Sequence, residues 1–263
     1  MQLKFYKYQG TGNDFIIFDN RDHNISVQKN KWFVQICDRR FGIGADGVML
    51  LNNKAGYDFE MVYFNADGNE SSMCGNGGRC MIQFAASLGM VKENYRFLAV
   101  DGAHDAYIKG SEVYLKMNDV NEIVCAGDYY ELDTGSPHYV TFTTGLNGLD
   151  IKSGGAEIRF SEPYRKSGIN VNFLEEKGDE LFIRTYERGV EDETLSCGTG
   201  VTASAIIYAI KKDLPVGKHL VGLNTIGGKL KVQLTKIDNN SFSDIWLIGP
   251  AEKVFEGTIE YIS

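Results

Sequence analysis

An eight-residue pattern, E-[ST]-x-x-C-G-x-G, occurs twice in this chain, at Glu70–Gly77 and again at Glu193–Gly200. Each copy follows an apolar, strand-like run (FEMVYFN in the first half, LFIRTYE in the second) and an acidic loop. Each then runs into an apolar, alanine-bearing stretch of helical character. A repeat of this length within 263 residues predicts two pseudo-symmetric domains of α+β type, with equivalent helix starts facing each other across a cleft.

The rest of the chain fits that frame. LKFYKYQG and DFIIFDN read as a strand pair around the turn GTGN, and KWFVQICDRR as a helix with Trp32, Phe33, Ile36 and Cys37 on one face. VMLLN, YDFEMVYFN, RFLAV, DAYIKG and EVYLKM read as short strands. From about residue 119 the same style resumes with YYELDTGSPHYVTFTTG, AEIRF, DELFIRTYE, HLVGLNT, KLKVQLTK and DIWLIG. No Pro- or Ser-rich linker divides the halves, and the boundary is expected near 118–122.

The chemistry lies in the cysteines. Glycines beside a cysteine let the backbone turn tightly and approach a ligand. A helix that starts there offers unpaired N–H groups and the positive end of its dipole, which suits a carboxylate and also stabilises a thiolate. A free thiol has a pKa of ~8.5, so even a modest lowering turns a largely protonated group into one that is half ionised near neutrality. Two such cysteines, Cys74 and Cys197, can place a thiolate and a thiol on opposite faces of one tetrahedral carbon. One removes a proton, the other returns one, and the centre inverts. The helix-start N–H groups would hold the α-carboxylate and the charge that develops, so neither a metal nor another cofactor is required.

Composition closes off other classes. The net charge of −8, from 35 acidic and 27 basic residues, argues against nucleic-acid or anionic-membrane partners. No signal-like N-terminal segment and no apolar run of ~18 residues is present, so a cytoplasmic protein with a small-molecule substrate is expected. Five scattered cysteines, none in a C-x-x-C, suit a reduced compartment and no zinc site. Cys37, Cys80 and Cys125 read as core residues, and Asp14, Asp46 and Asp67, beside glycines, as turn residues. A redox pair, a racemase of another amino acid and a non-catalytic binding module remain as alternatives.

The segments GTGNDFIIFDN, RRFGIGADG, FNADGNESSMCGNGGR, GSPH, INVNF, YERGVEDETLSCGTG and GPAEKVFEG run in order from residue 10 to 257. With them the chain resembles the diaminopimelate epimerase family. FNADG and YERG narrow the likeness from the wider group of two-cysteine racemases. The resemblance implies two α/β domains, each a mainly antiparallel sheet wrapped around a central helix, with the active site in the cleft. Residues 1–118 with a closing strand 252–263 would form one domain and 119–251 the other.

It also implies roles for individual residues. Cys74 and Cys197 would be the acid–base pair, and His138 with Glu187 would adjust their pKa values. Gly75, Asn76, Gly198 and Thr199 would cradle the α-carboxylate. Asn13, Asn65, Asn170, Glu187 and Arg188 would read the distal amino-acid end, with an acidic partner for its ammonium and a forked cation for its carboxylate. Ser136 stands where many relatives have Asn, and Gly47 where some have Gln, so Ser136 would make a weaker contact and Gly47 a backbone contact. The loop ERGVEDET is one residue longer than the common form. A homodimer, with the strand around Phe255 near the contact, is implied as well.

Overall fold

The structure, a computed structural model, describes residues 1–26 and 30–261. The chain is α+β and forms two compact units, Met1–Leu115 with Pro250–Ser263, and Lys116–Gly249. The first contains β1 (Gln2–Gly10), β2 (Asn13–Asp19), α1 (Asn30–Cys37), β3 (Gly47–Asn52), β4 (Glu60–Asn65), β5 (Glu70–Ser71), α2 (Gly75–Ser87), β6 (Tyr95–Ala99), β7 (Gly102–Lys109) and most of β8 (Glu112–Lys116). The second contains β9 (Ile123–Cys125), β10 (Tyr129–Asp133), β11 (Pro137–Phe142), α3 (Ile151–Arg159), β12 (Asn170–Lys177), β13 (Glu180–Glu187), β14 (Asp192–Thr194), α4 (Gly198–Lys211), β15 (Gly217–Thr225), β16 (Gly228–Lys236) and β17 (Phe242–Gly249). The last strand, β18 (Glu252–Glu260), pairs antiparallel with β1. Residues 262–263 of the expected closing strand lie outside the described residues.

The two units share one wiring. β1 and β2 form an antiparallel hairpin, β2 lies parallel to β3, and β3 is antiparallel to β4. Likewise β10 and β11 form a hairpin, β11 lies parallel to β12, and β12 is antiparallel to β13. One edge of β4 takes β5 and then β6, as one edge of β13 takes β14 and then β15. Antiparallel strands complete each unit, β6–β7–β8 in one and β15–β16–β17 in the other.

Each sheet curls around one helix. α2 is buried from Gly75 to Ala85 with only Gln83 partly exposed, and packs on β1, β2, β3 and β7. α4 is buried from Gly198 to Ala209 except for Thr199 and Tyr208, and packs on strands from β10 to β17. A helix that is apolar nearly all round can be stable only when enclosed in this way. Phe84 of α2, with no exposed surface, contributes about 2–3 kcal/mol of that burial.

Two readings of the sequence need correcting. AEIRF is the end of helix α3, not a strand: Asp150 caps that helix by accepting from the Ser153 N–H (3.0 Å). Of the two glycines that break its sequence pattern, Gly155 is there because the helix lies against Tyr186, where a Cβ would come within 2.3 Å of that side chain. Cys125 is exposed rather than core, since it closes the three-residue edge strand β9, whereas Cys37 and Cys80 are buried. Burial pushes both of those thiols up to about 12, leaving them inert.

Candidate active site

Cys74 and Cys197 hold the same position, the cap residue before α2 and before α4. Both have extended backbones (φ −92° and −114°), as a helix cap requires. The first helical hydrogen bonds run from Gly78 N–H to Cys74 O (2.7 Å) and from Val201 N–H to Cys197 O (2.9 Å). The N–H groups of residues 75–77 and 198–200 therefore point out of the helix start, where the dipole favours an anion.

In the first unit the capping loop is the hairpin turn Thr11–Gly12, both residues at positive φ (50° and 85°), the geometry of a tight two-residue connection. Its neighbour Gly10 approaches α2 so closely that a Cβ would meet Asn76 O at 3.1 Å. Asn13, first residue of β2, accepts at Oδ1 from the Cys74 thiol (3.5 Å) and from Asn76 Nδ2 (3.4 Å). Its other end is fixed, since Nδ2 donates to Asp46 Oδ2 (2.6 Å). Asp46 in turn takes Arg39, and Arg39 also grips Asp14 (2.6 Å), which pairs with the buried Lys7 (2.7 Å). Burial raises the pKa of the Asp14 carboxyl, but hydrogen bonds and charge from Arg39 and Lys7 outweigh it and hold it at about 2.

Gly47 and Asn65 face each other at the start of β3 and the end of β4. A Cβ on Gly47 would lie 2.5 Å from the Tyr63 ring and 2.4 Å from Phe64 O, so no side chain fits there and the position offers its backbone alone. Behind the helix start sits Arg79, with no exposed surface. Its guanidinium donates to Gly75 O (3.2 Å), Asn76 Oδ1 (3.0 Å), Thr11 Oγ1 (3.4 Å) and Pro250 O (3.4 Å). These are all neutral oxygens, and burial lowers its pKa.

In the second unit Cys197 Sγ lies 3.4 Å from Thr199 Oγ1, and Thr134 Oγ1 donates to Thr199 O (2.9 Å). Ser136, Asn170 and Arg188 form one cluster: Asn170 Nδ2 donates to Ser136 Oγ (2.8 Å), Arg188 N–H to Asn170 Oδ1 (2.9 Å), and Arg188 Nη2 to Ser136 Oγ (3.2 Å). Glu187, at the end of β13, accepts from Thr194 Oγ1 (3.0 Å). His138 is wholly buried on β11, opposite Asn170 on β12. Burial, assisted by the charge of Arg188, lowers its pKa to about 3, so the ring is neutral.

Three residues here escaped the sequence reading. Asp46 orients Asn13 rather than merely shaping a turn. Arg79 had a signal, the single charged residue in the sequence of α2. Asn172 of β12, whose carboxamide meets His138 Nδ1 (3.0 Å) and Thr185 Oγ1 (3.0 Å), had one too, an asparagine set between Val171 and Phe173.

A family model described as diaminopimelate epimerase matches residues 5–121 and 130–254 of the chain. The diaminopimelate epimerase of Flavobacterium psychrophilum is 50% identical over 259 residues, covering 98% of this chain and 100% of that protein. That of Chlorobaculum tepidum is 41% identical, covering 95% and 98%. Among solved structures, a PhzF-family phenazine biosynthesis protein from Bacillus anthracis matches with a TM-score of 0.75 at 14% identity, covering 99% of this chain and 100% of that one. A hydroxyproline epimerase from Agrobacterium vitis matches at 0.67 and 14%, covering 98% and 92%. At such identities these two speak for the fold alone.

Proposed function

Because this chain belongs to the diaminopimelate epimerase family, we propose that it interconverts LL- and meso-2,6-diaminopimelate by moving the α-proton between two thiols, Cys74 and Cys197. The observation that carries the reading is the pair of equivalent cysteine-capped helices, one in each unit, in a chain half identical to an epimerase of that name. A thiolate takes the proton from one face of the α-carbon and the other thiol gives one back to the opposite face. Their roles exchange in the reverse direction, and no cofactor enters.

The N–H groups of Gly75, Asn76, Gly198 and Thr199 cradle the reacting carboxylate and stabilise the charge that builds beside it. Asn13, Asn65 and the Gly47 backbone, with Ser136, Asn170, Glu187 and Arg188, read the distal amino-acid group. Support for this comes from the Ser136–Asn170–Arg188 cluster, which leaves an exposed forked cation anchored by Ser167 O (3.0 Å). His138 and Glu187 tune the thiols. A substrate without the second amino-acid group leaves these polar groups unpaired, which disfavours it.

The product feeds lysine and cell-wall precursor synthesis, a cytoplasmic task. No helix among the described residues is long and apolar enough to cross a membrane. A homodimer is the proposed assembly. It is supported by β18, which pairs with β1 and carries Val254 and Phe255, 55% and 45% exposed. Light scattering coupled to size exclusion checks it, and a monomer mass rejects it. The substrate assignment is tested by comparing turnover of LL-diaminopimelate with that of proline and histidine. Preference for a single-centre amino acid overturns it, and a mere binder shows no exchange of the substrate α-proton with deuterated solvent.

A further inference from the structure

Asn172 of β12 is wholly buried between β11 and β13. Its side chain makes three contacts that together determine its orientation. Nδ2 donates to Tyr139 O (3.0 Å), Oδ1 accepts from Thr185 Oγ1 (3.0 Å), and Nδ2 lies 3.0 Å from His138 Nδ1. A backbone carbonyl can only accept, so the end of the amide facing Tyr139 O must be the NH2 group. The same NH2 group faces His138 Nδ1. It has no lone pair to offer, so Nδ1 must accept and cannot carry a proton. A neutral imidazole then bears its single proton on Nε2.

His138 Nε2 is itself buried and has no hydrogen-bond partner among the described residues. A buried N–H held without a partner costs stability and calls for a reason. Gly200 gives the arrangement a second mark of specificity. A Cβ there would meet Asn172 Oδ1 at 2.4 Å, while its other near neighbours are Cys197 Cβ and Sγ at 3.4 Å. The last glycine of the second Cys-Gly-x-Gly therefore makes room for the carboxamide.

We propose that Asn172 is a positioning residue that locks His138 in its Nε2–H form, so that His138 enters the reaction as a hydrogen-bond donor to negative charge and not as a proton acceptor. The donor role rests on the epimerase reading, but the tautomer does not, and the two are measured apart. A neutral N–H donor steadies a thiolate or a bound carboxylate without forming an ion pair that proton transfer would have to break.

The test is 15N NMR of substrate-free enzyme labelled at its four histidines, with His138 assigned by His138→Gln. Expected at neutral pH are an unprotonated Nδ1 and a protonated Nε2. Asn172→Asp replaces the donor by an acceptor, and should move the proton to Nδ1 or charge the ring, with kcat falling at least ~10-fold and KM changing little. Should the aspartate variant fail to fold, Asn172→Val removes the carboxamide altogether, the donor to His138 Nδ1 together with the acceptor of Thr185 Oγ1, and both tautomers should then appear. A protonated Nδ1 in the wild type overturns the proposal, as does a folded variant that keeps the pure Nε2–H form. Because the spectra are recorded without substrate, failure of the diaminopimelate assay leaves the tautomer result standing.

Discussion

Arg79 and Thr202 stand at the same place in the two halves, five residues after the cysteine. Both are fully buried, and both turn back on the carbonyl of the first glycine of their helix. Arg79 Nη1 reaches Gly75 O at 3.2 Å, and Thr202 Oγ1 reaches Gly198 O at 2.9 Å. One half puts a permanent cation there and the other a neutral hydroxyl. The same contrast extends outward. Asn13, beside Cys74, is held by a chain of charges through Asp46, Arg39, Asp14 and Lys7. The hydrogen bonds made directly to Cys197 and His138 come from neutral groups, Thr199 and Asn172, with Thr185 behind, and the charge of Arg188 acts on His138 only through space. The duplication thus repeats the backbone, with its helix-start donors, while the side chains behind it differ in charge. Two thiols in matched frames sit in unequal fields.

The largest effect tests whether the halves are equal partners in spite of this. Cys74→Ser and Cys197→Ser keep the cap geometry but replace the thiol with a hydroxyl that hardly ionises. Each should cost roughly 10²–10⁴-fold or more in epimerisation, while thermal unfolding changes little. Full turnover by either variant would break the two-thiol scheme. Next comes the last glycine of each Cys-Gly-x-Gly. In Gly200→Ala the new methyl runs into Asn172 Oδ1 at 2.4 Å, a buried and hydrogen-bonded atom, at a cost of about 1–3 kcal/mol. In Gly77→Ala it meets the flexible Met49 side chain at 3.2 Å, and the gain in helix propensity of about 1 kcal/mol offsets the crowding. Urea denaturation should therefore separate the pair, and equal losses would mean that the two helix starts are packed alike.

Much of this was legible before the structure. The doubled motif announced two like units, and an apolar run after each Cys-Gly-x-Gly announced the enclosed helices α2 and α4. A few elements were not legible, for physical reasons. Helix α3 hid because Gly154 and Gly155 weaken its helical pattern, and only the distant Tyr186 ring explains a glycine there. Cys125 looked like core because a free cysteine usually is, but a strand of three residues at an edge buries little. Arg79 and Asn172 were visible as oddities, the one charge on α2 and an amide between Val171 and Phe173. Arg79 also reaches Thr11 and Pro250, 68 and 171 positions away, and every partner of Asn172 lies at least 13 positions away, which no local pattern encodes. The substrate was not legible from the residues alone either, and it followed from the family.

A smaller effect sharpens the contrast of fields. Arg79→Met removes the cation and should raise the pH midpoint of iodoacetamide alkylation at Cys74 by about one unit, since a nearby positive charge favours the thiolate. The reaction is best read peptide by peptide in mass spectra, because the exposed Cys125 will react too. Thr202→Val, its counterpart, should leave the midpoint of Cys197 in place. A purely structural role for Arg79 predicts lower stability with an unmoved midpoint. Arg79→Lys, which keeps the charge but loses the fork that binds several oxygens, should restore most of the shift.

The smallest effect lies in how acid weakens each unit. His138 has its pKa lowered from 6.5 to about 3 in the folded protein, so between those values the unfolded chain binds the extra proton. Stability contributed by the neutral ring is complete above pH 6.5 and is lost as the pH falls towards 3. Asp14 is lowered from 3.8 to about 2, so its contribution is complete above 3.8 and drains only below it. Acid should therefore undermine the neutral half first and the ionic half last. Denaturation midpoints followed from pH 8 to 2.5 should slope less in His138→Gln between pH 6.5 and 4. Asp14→Asn should flatten the curve only below about pH 4. A His138→Gln curve parallel to wild type would mean that the ring does not titrate on unfolding, and the distinction between a charged and a neutral support would lose its thermodynamic basis.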